Sequence, residues 1–244
     1  MNILSIGNSF SKDAQRYLHQ IARADGAELT AVNLYIGGCP ISRHYRTMLS
    51  GERAYTLEIN GYSTGFFVSL EEALLNRNWD VITLQQVSHE SVNYETYQPY
   101  LNELVAYVRH CVPKAKILIH QTWAYEQGSK TMHETLGFPD QKDMFLALKA
   151  AYAQASQEIC ADGILPSGEV FQALLANDIE KVHRDMAHAG WGLGRYALGL
   201  TWYAVLTGRN VDGIAFSDFD EEVTPQQIAI VKKCVQEVAE KYRS

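Results

Sequence analysis

The chain has 244 residues, of which 47% are hydrophobic and 20% charged, and its formal net charge at pH 7 is −7. This composition, with no Pro/Gly/Ser-rich linker, predicts one compact domain spanning residues 1–244. The negative charge is spread along the sequence, which argues against nucleic acid or an anionic membrane as a partner and favours a small neutral substrate.

The cysteines and the apolar segments exclude several further classes of protein. No apolar run approaches the roughly 18 residues of a membrane span. The first predicted strand begins at the initiator Met and leaves no room for a signal peptide, so we expect a cytoplasmic protein unless a leader precedes this sequence. No C-x-x-C pair indicates a zinc ribbon or a redox motif. Four separated cysteines are predicted to be reduced and structural: Cys39, Cys111, Cys160 and Cys234.

The first stretch of the chain predicts a strand, a tight turn and a helix. Residues 2–7 form an apolar run that ends in Gly7, and helical spacing of apolar residues follows. The turn carries Ser9, whose hydroxyl would lie at the carboxyl end of the strand, with its amide near a helix N-terminus. This position suits a nucleophile, and it also suits a capping or phosphate-binding serine.

The middle of the chain predicts a mostly parallel sheet. Residues 29–36 predict a second strand, followed at 37–38 by two glycines in a sharp turn that can expose backbone amides. Residues 79–86 and 116–123 predict two more strands with polar residues last, and residues 163–166 predict a short fifth. Because helices alternate with these strands, we expect an α/β three-layer sandwich with about five strands, helices on both faces and ligands beyond the strand carboxyl ends.

Two segments depart from this alternation. Asn60-Gly61 follows a period-2 run and predicts an antiparallel hairpin inserted near 52–68, at the edge of the sheet. Residues 123–140 show no clear periodicity. They are predicted to form an active-site loop or lid, and a plain surface loop is an equal alternative.

A serine nucleophile needs a base and a group that orients the base, and one short segment offers both. Asp185 and His188 lie three residues apart, in a predicted loop entering a helix, so the carboxylate can fix the imidazole with its other nitrogen facing Ser9. Alternatively, Asp185 caps the helix and His188 packs. A metal site of His183, Asp185 and His188 is a third possibility, but no H-E-x-x-H pattern supports it, so no metal or cofactor is predicted.

These residues resemble the SGNH (GDSL-type) hydrolases. The segments I-G-N-S-F, L-Y-I-G-G-C, T-L-Q-Q-V-S, Q-T-W-A-Y and L-T-W-Y are further similar to an uncharacterised bacterial SGNH-like domain family. The G-N-S turn at residues 7–9 is similar to the first block, with Asn in place of Asp; Gly38 or Gly37 matches the second, and D-M-A-H at 185–188 the last. The resemblance implies the flavodoxin-like SGNH hydrolase fold. It also implies a serine esterase in which Ser9 attacks the ester, His188 relays the proton and Asp185 orients His188.

The third block departs from the family pattern. L-Q-Q-V-S at residues 84–88 replaces the usual G-x-N-D, so we expect Gln86, or alternatively Gln85 or Ser88, to replace the Asn side-chain donor. The resemblance then implies an oxyanion hole made of the backbone amides of Ser9 and Gly38 and the side chain of Gln86. Gln85 is expected to face the other side of the sheet.

The resemblance also suggests a substrate, a small or carbohydrate ester that loses an acetyl group. Aromatic residues exposed near the strand ends could stack on a sugar ring, although core packing is their default role. The candidate substrate contacts are Asn8, Gln121, Trp123 and Tyr125. The alternative from another class is a noncatalytic carbohydrate-binding protein on the same fold.

Overall fold

The computed structural model describes residues 1–242, in which strands and helices alternate. The strands are β1 (Asn2–Gly7), β2 (Thr30–Tyr35), β3 (Tyr55–Ile59), β4 (Tyr62–Val68), β5 (Val81–Leu84), β6 (Lys116–Gln121), β7 (Gly163–Pro166), β8 (His183–Asp185) and β9 (His188–Ala189). The α-helices are α1 (Ser9–Gln15), α2 (Leu18–Ala24), α3 (Ile41–Ser50), α4 (Leu70–Leu75), α5 (Tyr100–Cys111), α6 (Gln141–Glu158), α7 (Ser167–Leu175), α8 (Leu193–Thr207) and α9 (Pro225–Ala239).

The central sheet has seven strands in the order β4-β3-β2-β1-β5-β6-β7. The five strands from β2 to β7 are parallel, which confirms the predicted fold class. The two additional strands are the antiparallel hairpin β3–β4, which joins the edge of the sheet beside β2. This order places β1 at the centre, so the turn after β1 lies in the middle of the carboxyl edge.

Helices cover both faces of the sheet, because its central strands are apolar on both faces. Ile3, Leu4 and Ile6 of β1 are at most 1% exposed. On one face, Gln15 of α1 donates a hydrogen bond to Ser5 of β1. On the other face lie α3, α5 and α6. Within residues 1–242, none of the helices has the length and apolar content needed to cross a membrane.

Some element boundaries differ from the predicted ones. The predicted first helix is two helices, α1 and α2, and a 3₁₀ turn at Tyr94–Tyr97 precedes α5. Pro99 directly precedes α5, where a residue without an N–H costs least. Residues 123–140 begin as buried chain and then form a π-helical turn at Thr131–Thr135 ahead of α6.

Two fully buried histidines are expected to make the folded protein less stable in acid. Burial lowers the pKa of both His44 and His120 to about 3. Between about pH 6.5 and pH 3 the unfolded chain therefore binds one more proton per histidine than the folded chain. As the pH is lowered through this range, each histidine decreases the free energy of unfolding by up to about 1.4 kcal/mol per pH unit. We expect His44→Gln to reduce this slope in urea unfolding measured from pH 7 to pH 5. The same slope in His44→Gln as in the wild type would contradict the assignment, and His110→Gln, at an exposed position, is the control.

Candidate active site

Ser9 is the first residue of α1, at the centre of the carboxyl edge of the sheet. Asn8 caps the helix, with its Oδ1 accepting a hydrogen bond from the backbone N–H of Phe10 at 3.0 Å. Ser11 completes a capping box with Asn8. Gly7 permits the tight turn, because a Cβ at that position would collide with the Ser11 side chain. The capped turn therefore fixes Ser9, which is only partly buried.

Asp185 and His188 lie on the hairpin β8–β9, with Nε2 of His188 2.9 Å from Oγ of Ser9. Both carboxylate oxygens of Asp185 lie 3.0 Å from Nδ1 of His188. The backbone N–H of His188 also donates to Asp185 at 2.8 Å, which fixes the carboxylate. The segment was predicted as a loop entering a helix, but α8 begins only at Leu193. The three-residue spacing works because the hairpin turn folds the carboxylate back onto the ring.

The charge of Asp185 determines the direction of the hydrogen bonds. Burial alone would raise the pKa of Asp185, but the hydrogen bond from the His188 backbone and the imidazole beside it lower that pKa below its ordinary value. The ionised carboxylate can only accept, so Nδ1 of His188 carries the proton and Nε2 can accept from the Ser9 hydroxyl. The two side chains are 57% and 31% exposed, so solvent and a ligand can reach the pair.

Trp123 and Tyr125 lie beneath the site instead of forming an exposed platform. Trp123 is 1% exposed, stacks on Phe10 at 4.1 Å between ring centroids, and donates its Nε1–H to the carbonyl oxygen of Ala187. Tyr125 is 5% exposed and its hydroxyl is 2.8 Å from that of Ser88. The expectation that these rings are exposed and stack on a substrate is wrong, because both are buried and the Trp123 ring packs against Phe10 and Phe171.

Asn8 and Gln121 are also buried, so they are not placed as direct substrate contacts. Asn8 is 2% exposed, and its Nδ2 donates to the carbonyl oxygen of Cys39 at 3.2 Å. Gln121 is 1% exposed and follows His120 on β6, so the two side chains point to opposite faces. Asn8 supports the site from below, whereas Gln121 lies on the face away from α1.

Gln86 is turned away from Ser9. Its side chain is fully buried, and its Oε1 accepts from the backbone N–H groups of Ile41 and Val87, each at 2.9 Å. Its Nε2 donates to the carbonyl and the hydroxyl oxygen of Thr96, each at 3.2 Å. Both amide N–H groups are occupied, so the prediction that Gln86 is an oxyanion donor is wrong.

Gln85 instead lies on the same side of the sheet as Ser9. Thr83 hydrogen-bonds Ser5 on the face covered by α1, and Gln85 is two residues further along that face. Its Nε2 donates to Oδ1 of Asn8 at 2.6 Å. The sequence-based assignment of the two glutamines to the faces of the sheet was therefore reversed.

Gly38 lies in the exposed turn after β2. Its φ of +58° is a left-handed conformation that favours glycine. The hydrogen bond from Asn8 to the next residue, Cys39, joins this turn to the one that carries Ser9. The Asn8 side chain thus links the two turns that carry the predicted backbone donors, Ser9 and Gly38.

His183 does not join Asp185 and His188 in a metal site. It is 3% exposed, its Nε2 lies 3.0 Å from the carbonyl oxygen of Ala124, and burial lowers its pKa. Within residues 1–242, no group of three or more His, Cys, Asp or Glu side chains is arranged to hold a metal ion. Nε2 of His183 thus faces the carbonyl oxygen of Ala124 and not Asp185 or His188.

Sequence reasoning missed the residue that fastens the hairpin to α1. Asp13 is buried and accepts hydrogen bonds from Arg184, Arg195 and the backbone N–H of Ala189. One signal was available, because Asp13 lies three residues after the apolar Phe10 and therefore on the same side of a helix. A charge on that side of a helix requires a buried partner.

Comparisons with known proteins show the family to which the chain belongs. The model of a family described as a domain of unknown function (DUF4886) matches residues 2–237. A DUF4886 family protein from Bacteroides uniformis has a TM-score of 0.90 and 30% identity, over 98% of this chain and 94% of its own. No protein with a curated description matches the chain.

Two more distant structures show that the fold is shared. A protein from Slackia heliotrinireducens, proposed to be an SGNH hydrolase, has a TM-score of 0.57 and 22% identity, over 82% of this chain and 95% of its own. A variant of an acetyl xylan esterase from Geobacillus stearothermophilus has a TM-score of 0.51 and 15% identity, over 88% of this chain and 95% of its own. The chain belongs to the DUF4886 family, and its fold is that of the SGNH hydrolases.

Proposed function

We propose that the protein is a serine esterase that hydrolyses acyl esters through an acyl-enzyme. The observation that carries the proposal is the continuous hydrogen-bonded line from Asp185 through His188 to Ser9. A serine becomes a strong nucleophile when a base within hydrogen-bond reach takes its proton, and that base needs an orienting partner. The fold shared with esterases supports the same conclusion.

In the proposed reaction, Oγ of Ser9 attacks the ester carbonyl carbon while Nε2 of His188 takes the hydroxyl proton. The bond to the alcohol oxygen then breaks, and His188 returns the proton to the departing alcohol. Water attacks the acyl-Ser9 ester in the same way, His188 again acting as base, and the acid leaves with Ser9 restored. Asp185 keeps the imidazole in one tautomer and stabilises its charged form.

The negative oxygen of each tetrahedral intermediate would be held by the backbone amides of Ser9 and Gly38. Donors aimed at such an oxygen stabilise the transition state more than the ground state. Gln86 has no part in this proposal, since its amide is occupied at Ile41 and Thr96.

The proposed substrate class is an acetylated carbohydrate, which the resemblance to the SGNH hydrolases suggests. The exposure of Asp185 and His188 leaves room for a large alcohol on the open side. The acetyl xylan esterase that shares the fold supports this class of substrate.

A fluorophosphonate probe tests the proposed mechanism, because it reacts only with an activated serine. We expect the probe to modify Ser9, as located by peptide mass mapping, and p-nitrophenyl acetate to be hydrolysed in the presence of EDTA. Absence of both labelling and hydrolysis, together with binding of unmodified sugars, would indicate the noncatalytic carbohydrate-binding protein instead. Loss of hydrolysis in EDTA and its recovery with zinc would contradict the metal-independent mechanism.

Gln86→Ala is expected to lower the stability of the protein and to leave the rate of the chemical step nearly unchanged. Its removal leaves the buried N–H groups of Ile41 and Val87 without their partner, which should lower the free energy of unfolding by roughly 2–4 kcal/mol. We expect kcat for p-nitrophenyl acetate to stay within about threefold of the wild type, since the transition state gains nothing from this side chain. A kcat loss of about 10²-fold at unchanged stability would show that Gln86 does reach the oxyanion.

A further inference from the structure

A line of buried side chains runs from the core of the protein to the turn that carries Ser9. Nε1–H of Trp202 donates to Oγ of Ser167 at 3.2 Å, and that oxygen lies 3.0 Å from Nε2 of His120. Nδ1 of His120 lies 2.6 Å from Oε1 of Gln85. Gln85 in turn donates to Asn8, and Asn8 to the carbonyl oxygen of Cys39. We name this line, from Trp202 to the Cys39 carbonyl, the Asn8 chain.

Each hydrogen bond of the Asn8 chain has only one direction that suits all its members. The Trp202 indole can only donate, and the Cys39 carbonyl at the other end can only accept. Burial lowers the pKa of His120 to about 3, so its imidazole is neutral and has one donor and one acceptor nitrogen. Nδ1–H therefore donates to Gln85, and Nε2 accepts from the hydroxyl of Ser167.

The hydrogen bonds of the Asn8 chain fix the orientation of the Asn8 side-chain amide. Oδ1 of Asn8 faces two donors, Nε2 of Gln85 and the backbone N–H of Phe10, while its Nδ2 faces the Cys39 carbonyl. A flipped amide would place its NH₂ group against both donors and its oxygen against a carbonyl oxygen. At 2% exposure, water cannot compensate for those mismatches.

We propose that Gln85 and His120 are positioning residues that act through Asn8 to hold the turn of Ser9 against the turn of Gly38. This inference rests on the proposed esterase function, because the two turns carry the nucleophile and the backbone donors of that reaction. Asn8 joins the turns, as the helix cap beneath Ser9 and as the donor to the residue after Gly38. The Asn8 chain fixes the orientation in which Asn8 can make both contacts.

The tautomer of His120 tests the direction of the Asn8 chain without a measurement of enzyme activity. In protein labelled with ¹⁵N-histidine, we expect the NMR spectrum of neutral His120 to show its proton on Nδ1, identified by loss of the signal in His120→Gln. A proton on Nε2 would reverse the direction of the chain and overturn the inference.

Gln85→Glu tests the effect on the reaction. At a pH above the pKa of the introduced acid, the carboxylate can accept from His120, but its second oxygen faces Oδ1 of Asn8, where two acceptors repel. Below that pKa the protonated acid can donate to Asn8 as Gln85 does, so kcat is compared across pH. A nucleophile turn displaced by about 1 Å can cost on the order of 10²-fold, so we expect kcat for p-nitrophenyl acetate to fall by that order with KM nearly unchanged. Gln85→Met, which carries no charge, should fold more readily and show a smaller kcat loss in the same direction. If both variants keep the wild-type kcat, the inference is overturned.

Two comparisons separate positioning from a general loss of structure. Thr83 lies on β5, two residues before Gln85 and outside the Asn8 chain. Thr83→Val removes its buried hydrogen bond to Ser5 of β1 and should reduce thermal stability but not kcat. If Gln85 acts through Asn8, the double variant Asn8→Ala, Gln85→Met should lose no more kcat than Asn8→Ala alone. Multiplied losses would overturn the inference. If the wild-type protein does not hydrolyse the ester, the proposed function is refuted. The tautomer of His120 would still show whether the hydrogen bonds of the Asn8 chain run in the proposed direction.

Discussion

Ser9→Ala is expected to lower kcat for p-nitrophenyl acetate by roughly 10⁴- to 10⁶-fold, the loss seen when a serine nucleophile is removed. Without Oγ no acyl-enzyme forms, and His188 and Asp185 have no proton to relay. Thermal stability should change little, because Ser9 is only partly buried and its side-chain hydrogen bond is to the half-exposed His188. The measurements are kcat, fluorophosphonate labelling and the thermal unfolding midpoint.

Ser11→Ala is the matched control for this variant. Ser11 follows Phe10 in α1, and its hydroxyl hydrogen-bonds the backbone of Asn8 in the turn and Oδ1 of Asn33 on β2. Its loss should cost stability while leaving labelling at Ser9 in place. If Ser9→Ala kept more than about a tenth of wild-type kcat, Ser9 would not be the nucleophile.

The parts of the site that could be predicted from the sequence are those whose geometry depends on residues close together in the chain. A strand that ends in Gly7 and runs into a helix places Ser9 at the sheet edge whatever packs around it. Asp185 and His188 are separated by one tight turn, so their contact needs no knowledge of the rest of the fold. The alternation of strands and helices likewise predicts the parallel sheet before any packing is known.

The predictions that were wrong depended on which face of the sheet meets which helix. Strand periodicity shows that Gln85 and Gln86 point to opposite faces, but only the packing of α1 shows that Gln85 lies on the side of Ser9. Trp123 follows a strand end like a ligand-binding residue, yet Phe10 and the hairpin turn cover it. These contacts join residues far apart in the chain, so no local pattern contains them.

The contact between α1 and the hairpin β8–β9 is the second place where a large effect is expected. Asp13, 1% exposed, accepts from Arg184 at 2.8 Å through one carboxylate oxygen and from Arg195 at 2.9 Å through the other. Its side chain also accepts from the backbone N–H of Ala189, the residue directly after His188. The ring of Trp191 lies about 4 Å from both guanidinium groups, which stack on it.

Asp13→Ala is expected to lower the free energy of unfolding by about 3–5 kcal/mol, the usual cost of removing one member of a buried ion pair. The substitution leaves Arg184, whose side chain is 16% exposed, with Asp185 at 3.8 Å as its nearest carboxylate. Arg195, 7% exposed, keeps its ion pair with Asp220 at 2.8 Å, so the loss should lie toward the lower end of this range. Asp13→Asn should cost less, because it keeps one acceptor and loses the charge. Urea unfolding with an unchanged dependence on denaturant measures both changes.

Arg53→Ala is the control, because Arg53 pairs with Glu72 on the surface, where solvent screens the charges and little stability depends on them. The loss of Asp13 should also reduce kcat in protein that remains folded, since the backbone beside His188 loses its tether to the helix that carries Ser9. Asp13→Asn, the milder variant, allows that measurement. If it unfolds as the wild type does and keeps full kcat, the hairpin is held by the apolar contacts of Trp123 and Phe10 and not by this carboxylate.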